Sequence, residues 1–213
     1  MKMVLMSVSV RRLNLLAGML VLLAATGCAT SGSPTTVSTQ TSDELTIVTA
    51  FYPLQFAAQR IAGDHATVAN LTQPGAEPHD LELTPRQVAS LTTANLVIYE
   101  KGFQPAVDEA VVQSENPQVI DTTTIVPLRP LAATGDDRGY VQSGNDHLAL
   151  DPHVWLDPTA LGRIAQVVEK RLSAIDPDRA ADYASNAAEL NQDLRRLDHS
   201  FRLGLGDCER TEF

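Results

Sequence analysis

The sequence contains only two cysteines, Cys28 and Cys208, in 213 residues. A pair so far apart in the chain excludes a fold built around several disulfides, and it also excludes a cysteine-rich zinc module. The apolar run from Leu15 to Ala25 is short as well, with 11 residues. A transmembrane helix needs about 20, so this run is typical of an export signal rather than of a membrane span.

Basic residues are also scarce, with 16 Lys and Arg against 26 Asp and Glu and a net charge of −10. Three of the basic residues, Lys2, Arg11 and Arg12, lie in the first twelve positions, so the rest of the chain is more acidic still. An acidic surface repels phosphate backbones and anionic lipid headgroups, which argues against nucleic-acid partners and favours cations as ligands. The hydrophobic fraction of 44% is ordinary for a globular protein with a core.

The first 27 residues have the pattern of a signal peptide: a basic stretch, an apolar run and small residues before Cys28. The segment Ala25-Thr26-Gly27-Cys28 resembles the lipobox of bacterial lipoproteins, which implies cleavage before Cys28 and acylation of its thiol. Plain secretion with an incidental Cys28 is the alternative. Residues 28–44 are rich in Ser and Thr and predict a flexible tether. With Cys28 lipidated, Cys208 is expected to be a small buried apolar residue.

From residue 45 onward, short apolar runs alternate with stretches of helical periodicity, which predicts an α/β fold with a parallel sheet flanked by helices. The expected strands are Leu45–Thr49, Ala66–Leu71, Leu96–Tyr99 and Gln118–Asp121, and the expected helices between them are Pro53–Ala62, a segment entered at Thr84-Pro85, and Phe103–Gln113. Ligands of such sheets bind beyond the carboxyl ends of the strands. The stretch from Thr122 to Pro152 shows no periodicity and is expected to be a long functional loop.

Two helices are predicted to follow, the first capped by Asp157 with Pro158 behind it, and the second capped by Asp176 with Pro177 behind it. The second runs to about Leu203, a length of nearly 40 Å at about 1.5 Å per residue, which suits a helix that joins two lobes. We therefore expect an N-terminal lobe at 45–175, a linker helix at 176–206, and at 207–213 the first strand of a second lobe that the sequence does not contain.

Two of the five histidines lie in segments stiffened by proline. His79 follows the second strand in Pro74-Gly75-Ala76-Glu77-Pro78-His79-Asp80, and His153 lies between two Asp-Pro pairs in Asp151-Pro152-His153-Val154-Trp155-Leu156-Asp157-Pro158. Rigid loops that present imidazoles suit a preorganised metal site. Asp80 and Asp151 could accept the second ring N–H of their neighbours and so set the tautomer. The alternative for each histidine is a turn residue bonded to the backbone.

The other three histidines are weaker candidates. His147, beside Asp146 in the long loop, is an accessory candidate for a transient metal contact. His65 precedes a strand rather than following one and is expected to be a solvated loop residue, and His199 is expected on the surface of the long helix.

The motifs around His79 and His153, together with Tyr99 and Gly102 after the third strand, resemble the zinc- and manganese-binding solute-binding lipoproteins of ABC importers. The resemblance spans residues 45 to 213. It implies two lobes joined by one long rigid helix, a metal in the cleft between them, and His79 and His153 as its first two ligands. The family's remaining ligands come from the lobe after the long helix, which this sequence does not reach.

The expected function is therefore an extracytoplasmic receptor that captures Zn²⁺, or Mn²⁺, and delivers it to the membrane permease and ATPase of an ABC importer. The resemblance implies a monomer without enzymatic activity, exported and either lipid-anchored on the outer face of the cytoplasmic membrane or periplasmic. Two alternatives remain open. One is a surface adhesin or structural lipoprotein, and the other is a secreted zinc metallohydrolase using His79, Asp80 and His153.

Overall fold

A computed structural model describes residues 45–130, 141–142 and 149–209. Its main sheet has four strands: β1 Leu45–Thr49, β2 Ala66–Asn70, β3 Leu96–Tyr99 and β4 Val119–Asp121. The sheet is parallel, with the strand order β2-β1-β3-β4. The helices between them are α1 Tyr52–Ala62, α2 Pro85–Thr93 and α3 Pro105–Ser114. The predicted fold class is therefore confirmed.

The two central strands are mostly apolar because helices cover both faces of the sheet. Val48 of β1 lies opposite Ala69 of β2 and Val97 of β3, and all strand pairs run in the same direction. Ile47, Val48 and Ile98 are fully buried in the core. Because the strands are parallel, their carboxyl ends all lie at one edge of the sheet, and the segments that follow them lie at that edge as well.

Local sequence signals set the helix ends. Gly63 ends α1 with a φ of 56°, in the left-handed region that glycine adopts without strain. The Thr84 side chain accepts a hydrogen bond from the Gln87 backbone N–H while the Gln87 side chain accepts one from the Thr84 N–H, so α2 begins with a capping box. Asp157 caps the next helix, α4 Pro158–Ile175, through the backbone N–H groups of Thr159 and Ala160.

The stretch from Thr122 to Pro152, expected to be a loop, contains regular structure in its described part. A 3-10 turn at Thr122–Thr124 is followed by three short strands: β5 Arg129–Pro130, β6 Val141–Gln142 and β7 Ala149–Asp151. They form an antiparallel sheet in the order β5-β7-β6. Strands of two or three residues are too short to show an alternating pattern, which is why the sequence did not indicate them.

The last helix, α5 Ala180–Leu205, has 26 residues and is about 39 Å long at 1.5 Å per residue, close to the predicted length. Its predicted start is wrong, because Pro177–Arg179 form a separate 3-10 turn. Asp176 makes no side-chain capping bond there. Its carboxylate instead accepts a hydrogen bond of 2.9 Å from the buried Tyr183 hydroxyl.

The first half of α5 packs on α1 and α4. Arg60 of α1 bonds Asp193 at 2.8 Å, and the Asn186 amide donates to the carbonyl of Ile61 at 3.0 Å. Gly162 of α4 allows α5 to approach α4 closely, because a Cβ there would lie 2.7 Å from the Asn191 Oδ1. From Leu197 onward the apolar side chains of α5 are exposed: Leu197, Phe201, Leu203 and Leu205. The division into a lobe at 45–175 and a linker at 176–206 stays a prediction.

Two smaller expectations are wrong. Cys208 is exposed, not buried. His65 is not a solvated loop residue, since its Nε2 lies 3.0 Å from Asp182 Oδ2 and its ring contacts Tyr183. The described residues after α5, up to Glu209, form a turn and a bend, and the rest of the strand expected at 207–213 lies outside the described residues. Among the described helices, none is long and apolar enough to span a membrane.

Candidate metal centre

The structure brings His79 and His153 together, although 73 residues separate them in the sequence. Their ring centroids lie 5.8 Å apart, with the ring planes at 65° to each other. Two imidazoles that share one tetrahedral zinc, each with a Zn–N distance of about 2.0 Å, place their centroids about 5 Å apart. The pair therefore has nearly the separation that a shared metal ion needs.

The segment that carries His79 follows β2 at the carboxyl edge of the main sheet. It begins with a tight turn in which the Ala76 N–H donates to the Gln73 carbonyl at 3.1 Å and Gly75 has a φ of 81°. Pro74 and Gly75 occupy the two central positions, as in a type II turn. After His79, the side chains of Leu81 and Leu83 pack against the core. The segment is therefore held on both sides of the imidazole.

His153 is held by Asp151, the last residue of β7. One carboxylate oxygen of Asp151, Oδ1, lies 2.7 Å from the His153 Nδ1 and also accepts the His153 backbone N–H at 3.0 Å. A carboxylate can only accept, so Nδ1 carries the hydrogen and Nε2 keeps its lone pair for a metal. A 3-10 turn at Val154–Leu156 then leads to Asp157, the cap of α4.

Asp157 fixes the start of α4 just beyond the His153 turn. Burial raises the pKa of Asp157, but hydrogen bonds from the Thr159 hydroxyl and from the Thr159 and Ala160 backbone N–H groups outweigh burial, so the net pKa is lowered. The carboxylate is therefore ionised at neutral pH and stabilises the helix N-terminus.

Three aromatic rings support the two imidazoles, and sequence reasoning did not identify them as part of the site. Phe103 contacts the His79 ring at 4.5 Å between centroids, and Trp155 contacts the His153 ring at 5.3 Å. Phe51 joins them, 4.8 Å from Phe103 and 4.6 Å from Trp155. Phe51 and Phe103 are 3% exposed, so the imidazoles rest on a water-excluding aromatic base. We call Phe51, Phe103 and Trp155 the aromatic base.

Glu100, directly after β3, is the second feature that the sequence did not reveal. It is 2% exposed, its Oε2 accepts a hydrogen bond from the Thr122 hydroxyl at 3.2 Å, and its Oε1 has no hydrogen-bond partner among the described residues. Burial, with smaller contributions from the charges of Asp121 and Asp151, raises the pKa of Glu100 to about 8, although the Thr122 bond opposes the shift. The carboxyl group is therefore mostly protonated at neutral pH.

Within the described residues, neither Asp80 nor another histidine joins the pair. Asp80 is exposed, and no contact joins it to an imidazole in the described part of the chain. His147 lies outside the described residues. His65 bonds Asp182 of α5, and His199 is exposed on that helix. Across the described ranges, no group of three or more His, Cys, Asp or Glu residues is placed to hold a metal ion. The candidate site in these ranges therefore consists of two imidazoles.

A cleft of about 300 Å³ opens beside His153. Its walls come from the region after β4, from the His153 turn and from the first turns of α4, and they carry both charge signs through Arg129, Arg163, Asp151 and Asp157. The His153 face of the site is therefore accessible to solvent.

Comparison with known proteins identifies a matching family and similar sequences. Residues 47–213 match the model of the family described as zinc-uptake complex component A, periplasmic. The chain is 30% identical over 186 residues to the zinc-binding lipoprotein AdcA of Streptococcus pneumoniae, covering 82% of this chain and 35% of that protein. It is 28% identical over 206 residues to the high-affinity zinc uptake system protein ZnuA of Bacillus subtilis, covering 94% of this chain and 63% of that protein.

A solved structure shows the same fold. The crystal structure of Zn(II)-bound AdcA from S. pneumoniae superposes with a TM-score of 0.66 at 30% identity, covering 80% of this chain and 34% of that one. The chain thus spans between about one third and two thirds of the length of these relatives.

Proposed function

Because the chain belongs to the family of periplasmic component A proteins of zinc-uptake complexes, we propose that it is a receptor that captures Zn²⁺ outside the cytoplasmic membrane. It delivers the ion to the permease and ATPase of an ABC importer. The observation that carries the proposal is the pairing of His79 with His153 at 5.8 Å on the aromatic base. The zinc ion is cargo, so the site must bind it and release it unchanged.

The chemistry of the pair favours zinc over manganese as cargo. Imidazole nitrogens suit zinc, whereas manganese prefers sites rich in carboxylate oxygens. Asp151 supports this preference indirectly, because it is bonded to the His153 ring and makes Nε2 a better donor. Two imidazoles leave the other positions of a tetrahedral site to water or to groups outside the described residues.

Zinc titration of the 213-residue chain, followed by the fluorescence of Trp155, tests this proposal. Trp155 is the only tryptophan, and its ring lies 5.3 Å from that of His153, so its emission reports a charge that arrives there. We expect a saturable change with one zinc per chain that a chelator reverses, and no hydrolysis of peptide or ester substrates. The proposed function would be contradicted if zinc left the fluorescence unchanged and competition with a chromophoric chelator also detected no bound zinc.

We also propose that the chain is exported and held at the membrane by lipid on Cys28, because the Ala25-Thr26-Gly27-Cys28 segment resembles a lipobox. Cys28→Ser in the producing cell should move the protein from the membrane fraction to the soluble extracytoplasmic fraction. The Ser- and Thr-rich residues that follow have no apolar face to retain it. Cys208→Ser is the matched control and should leave the distribution unchanged. Membrane association that persists in the Cys28→Ser protein would refute lipid anchoring.

A further inference from the structure

Gln104 lies at the start of α3, but its side chain does not cap that helix. It makes no capping hydrogen bond and is 1% exposed, turned into the core between the segments that follow β1 and β2. Its amide nitrogen Nε2 donates twice, to the Thr72 hydroxyl at 2.9 Å and to the Pro78 carbonyl at 2.8 Å. The second acceptor belongs to the residue directly before His79.

The bond to Thr72 ties Gln104 to the sheet itself. The Thr72 hydroxyl donates to the carbonyl of Ala50 at 2.8 Å, so its oxygen is free only to accept from Gln104. A continuous chain of hydrogen bonds therefore runs from Ala50, after β1, through Thr72 and Gln104 to Pro78. Phe103, the neighbour of Gln104, completes this support because its ring packs against the imidazole of His79 at 4.5 Å.

We propose that Gln104 is a positioning residue for the metal site: its carboxamide fixes the Pro78–His79 segment so that the imidazole of His79 stays against Phe103 and opposite His153. The expected effect of this positioning, tighter zinc binding, rests on the proposed function. The positioning itself is a property of the metal-free chain and can be tested without zinc.

The side chain at this position must donate hydrogen bonds. Both partners of Nε2 are acceptors, since the Pro78 carbonyl has no hydrogen and the Thr72 hydrogen is directed to Ala50. A glutamate of the same shape would place an acceptor against two acceptors. Partners that orient a metal ligand are commonly worth about tenfold to a hundredfold in affinity. We therefore expect Gln104→Glu to weaken zinc binding by about tenfold.

Asn116 offers a matched control at the other end of the sheet, just before β4 begins. Its amide also donates to two backbone carbonyls, those of Leu91 at 2.8 Å and Ala94 at 2.9 Å. Asn116→Asp therefore removes the same number of donors with the same gain of charge, but far from the strand ends that carry the histidines. A purely structural role for Gln104 predicts equal effects of the two substitutions on the histidines.

The first readout is the imidazole C–H region of the NMR spectrum of the metal-free 213-residue chain, with the His79 signals identified by their loss in His79→Ala. Because the Phe103 ring shifts these signals, we expect Gln104→Glu to move them toward free-histidine positions and Asn116→Asp to leave them in place. Gln104→Met, which removes the donors without adding charge, should act in the same direction and replaces Gln104→Glu if that variant fails to fold. Unchanged His79 signals in a folded Gln104 variant, or equal changes in Asn116→Asp, would overturn the proposal.

The second readout is zinc affinity, measured by competition with a chromophoric chelator. The expected result is the tenfold loss for Gln104 variants and none for Asn116→Asp. If the wild-type chain binds no zinc, the proposed function fails, while the His79 signals still decide whether Gln104 positions the imidazole. If the wild type binds zinc and the Gln104 variants bind it equally well, the positioning role is wrong and the proposed function stands.

Discussion

Substitution of His79 or of His153 by alanine is expected to lower zinc affinity by at least about tenfold, or about 1.4 kcal/mol of binding free energy. Each change removes one of the two facing imidazoles and leaves water in its place. No neighbour can substitute easily, because the segments on both sides of each histidine are fixed by Pro74, Pro78 and the Asp151 hydrogen bonds. Competition titration with a chromophoric chelator measures the loss.

The chain provides its own controls for this experiment. His65→Ala removes a half-buried imidazole bonded to Asp182 of α5, and His199→Ala removes an exposed one. His65→Ala is expected to cost some stability and His199→Ala hardly any, but neither should change zinc affinity. Similar losses at all four positions, or intact binding in both His79→Ala and His153→Ala, would contradict the assignment of the site.

Much of the fold could be predicted because its signals are local. The four parallel strands are short β-branched or apolar runs, and three of the helix starts carry proline behind a residue with extended backbone, at Thr84, Gln104 and Asp157. Prediction failed where the same Asp-Pro pattern served a purpose other than helix capping. Asp176-Pro177 has the same pattern as Asp157-Pro158, yet the Asp176 carboxylate bonds Tyr183 one turn into α5 and caps nothing.

The small antiparallel sheet could not be predicted for a different reason. Its strands have two or three residues each, and β5 pairs with a strand well beyond it in the sequence, with Pro130 opposite Leu150, while β6 pairs with β7 through Gln142 and Ala149. Such pairing depends on where the chain is brought by β4 and α4, which no local pattern records. The same holds for His65, whose partner Asp182 lies on a helix more than a hundred residues later.

The candidate site also contains residues that the sequence indicated and residues that only the structure shows. The proline-flanked segments and the resemblance indicated His79 and His153. Asp80 and Asp151 were expected to bond the neighbouring imidazoles, and among the described residues only Asp151 does so. The aromatic base was not expected, because Phe51, Phe103 and Trp155 come from three separate segments and each has the ordinary properties of a core residue. Glu100 was missed because nothing in its neighbours Tyr99 and Lys101 shows that a glutamate at this position is 2% exposed.

Glu100 leads to a second large expected effect, on stability rather than on binding. The folded chain holds the pKa of this carboxyl at about 8, well above its usual 4.5, because burial disfavours the charged form. The folded state therefore binds this proton more tightly than the unfolded state. The free energy of unfolding should fall as pH rises from about 4.5 to 8 and stay level above that range, with a total loss of roughly 3 to 5 kcal/mol.

Glu100→Gln removes this dependence, since the amide keeps an oxygen for the Thr122 hydroxyl and cannot ionise. The variant should match the wild type in urea denaturation at pH 5 and exceed it by roughly 3 kcal/mol or more at pH 9. Glu109→Gln, on the exposed face of α3, is the control and should change stability by less than about 0.5 kcal/mol at either pH. Because the two proteins share every other ionisable group, the difference between wild type and Glu100→Gln isolates the buried carboxyl. Parallel stability curves for the two proteins from pH 5 to pH 9 would show that Glu100 is ionised in the folded chain, paired with a cation or water that offsets its burial.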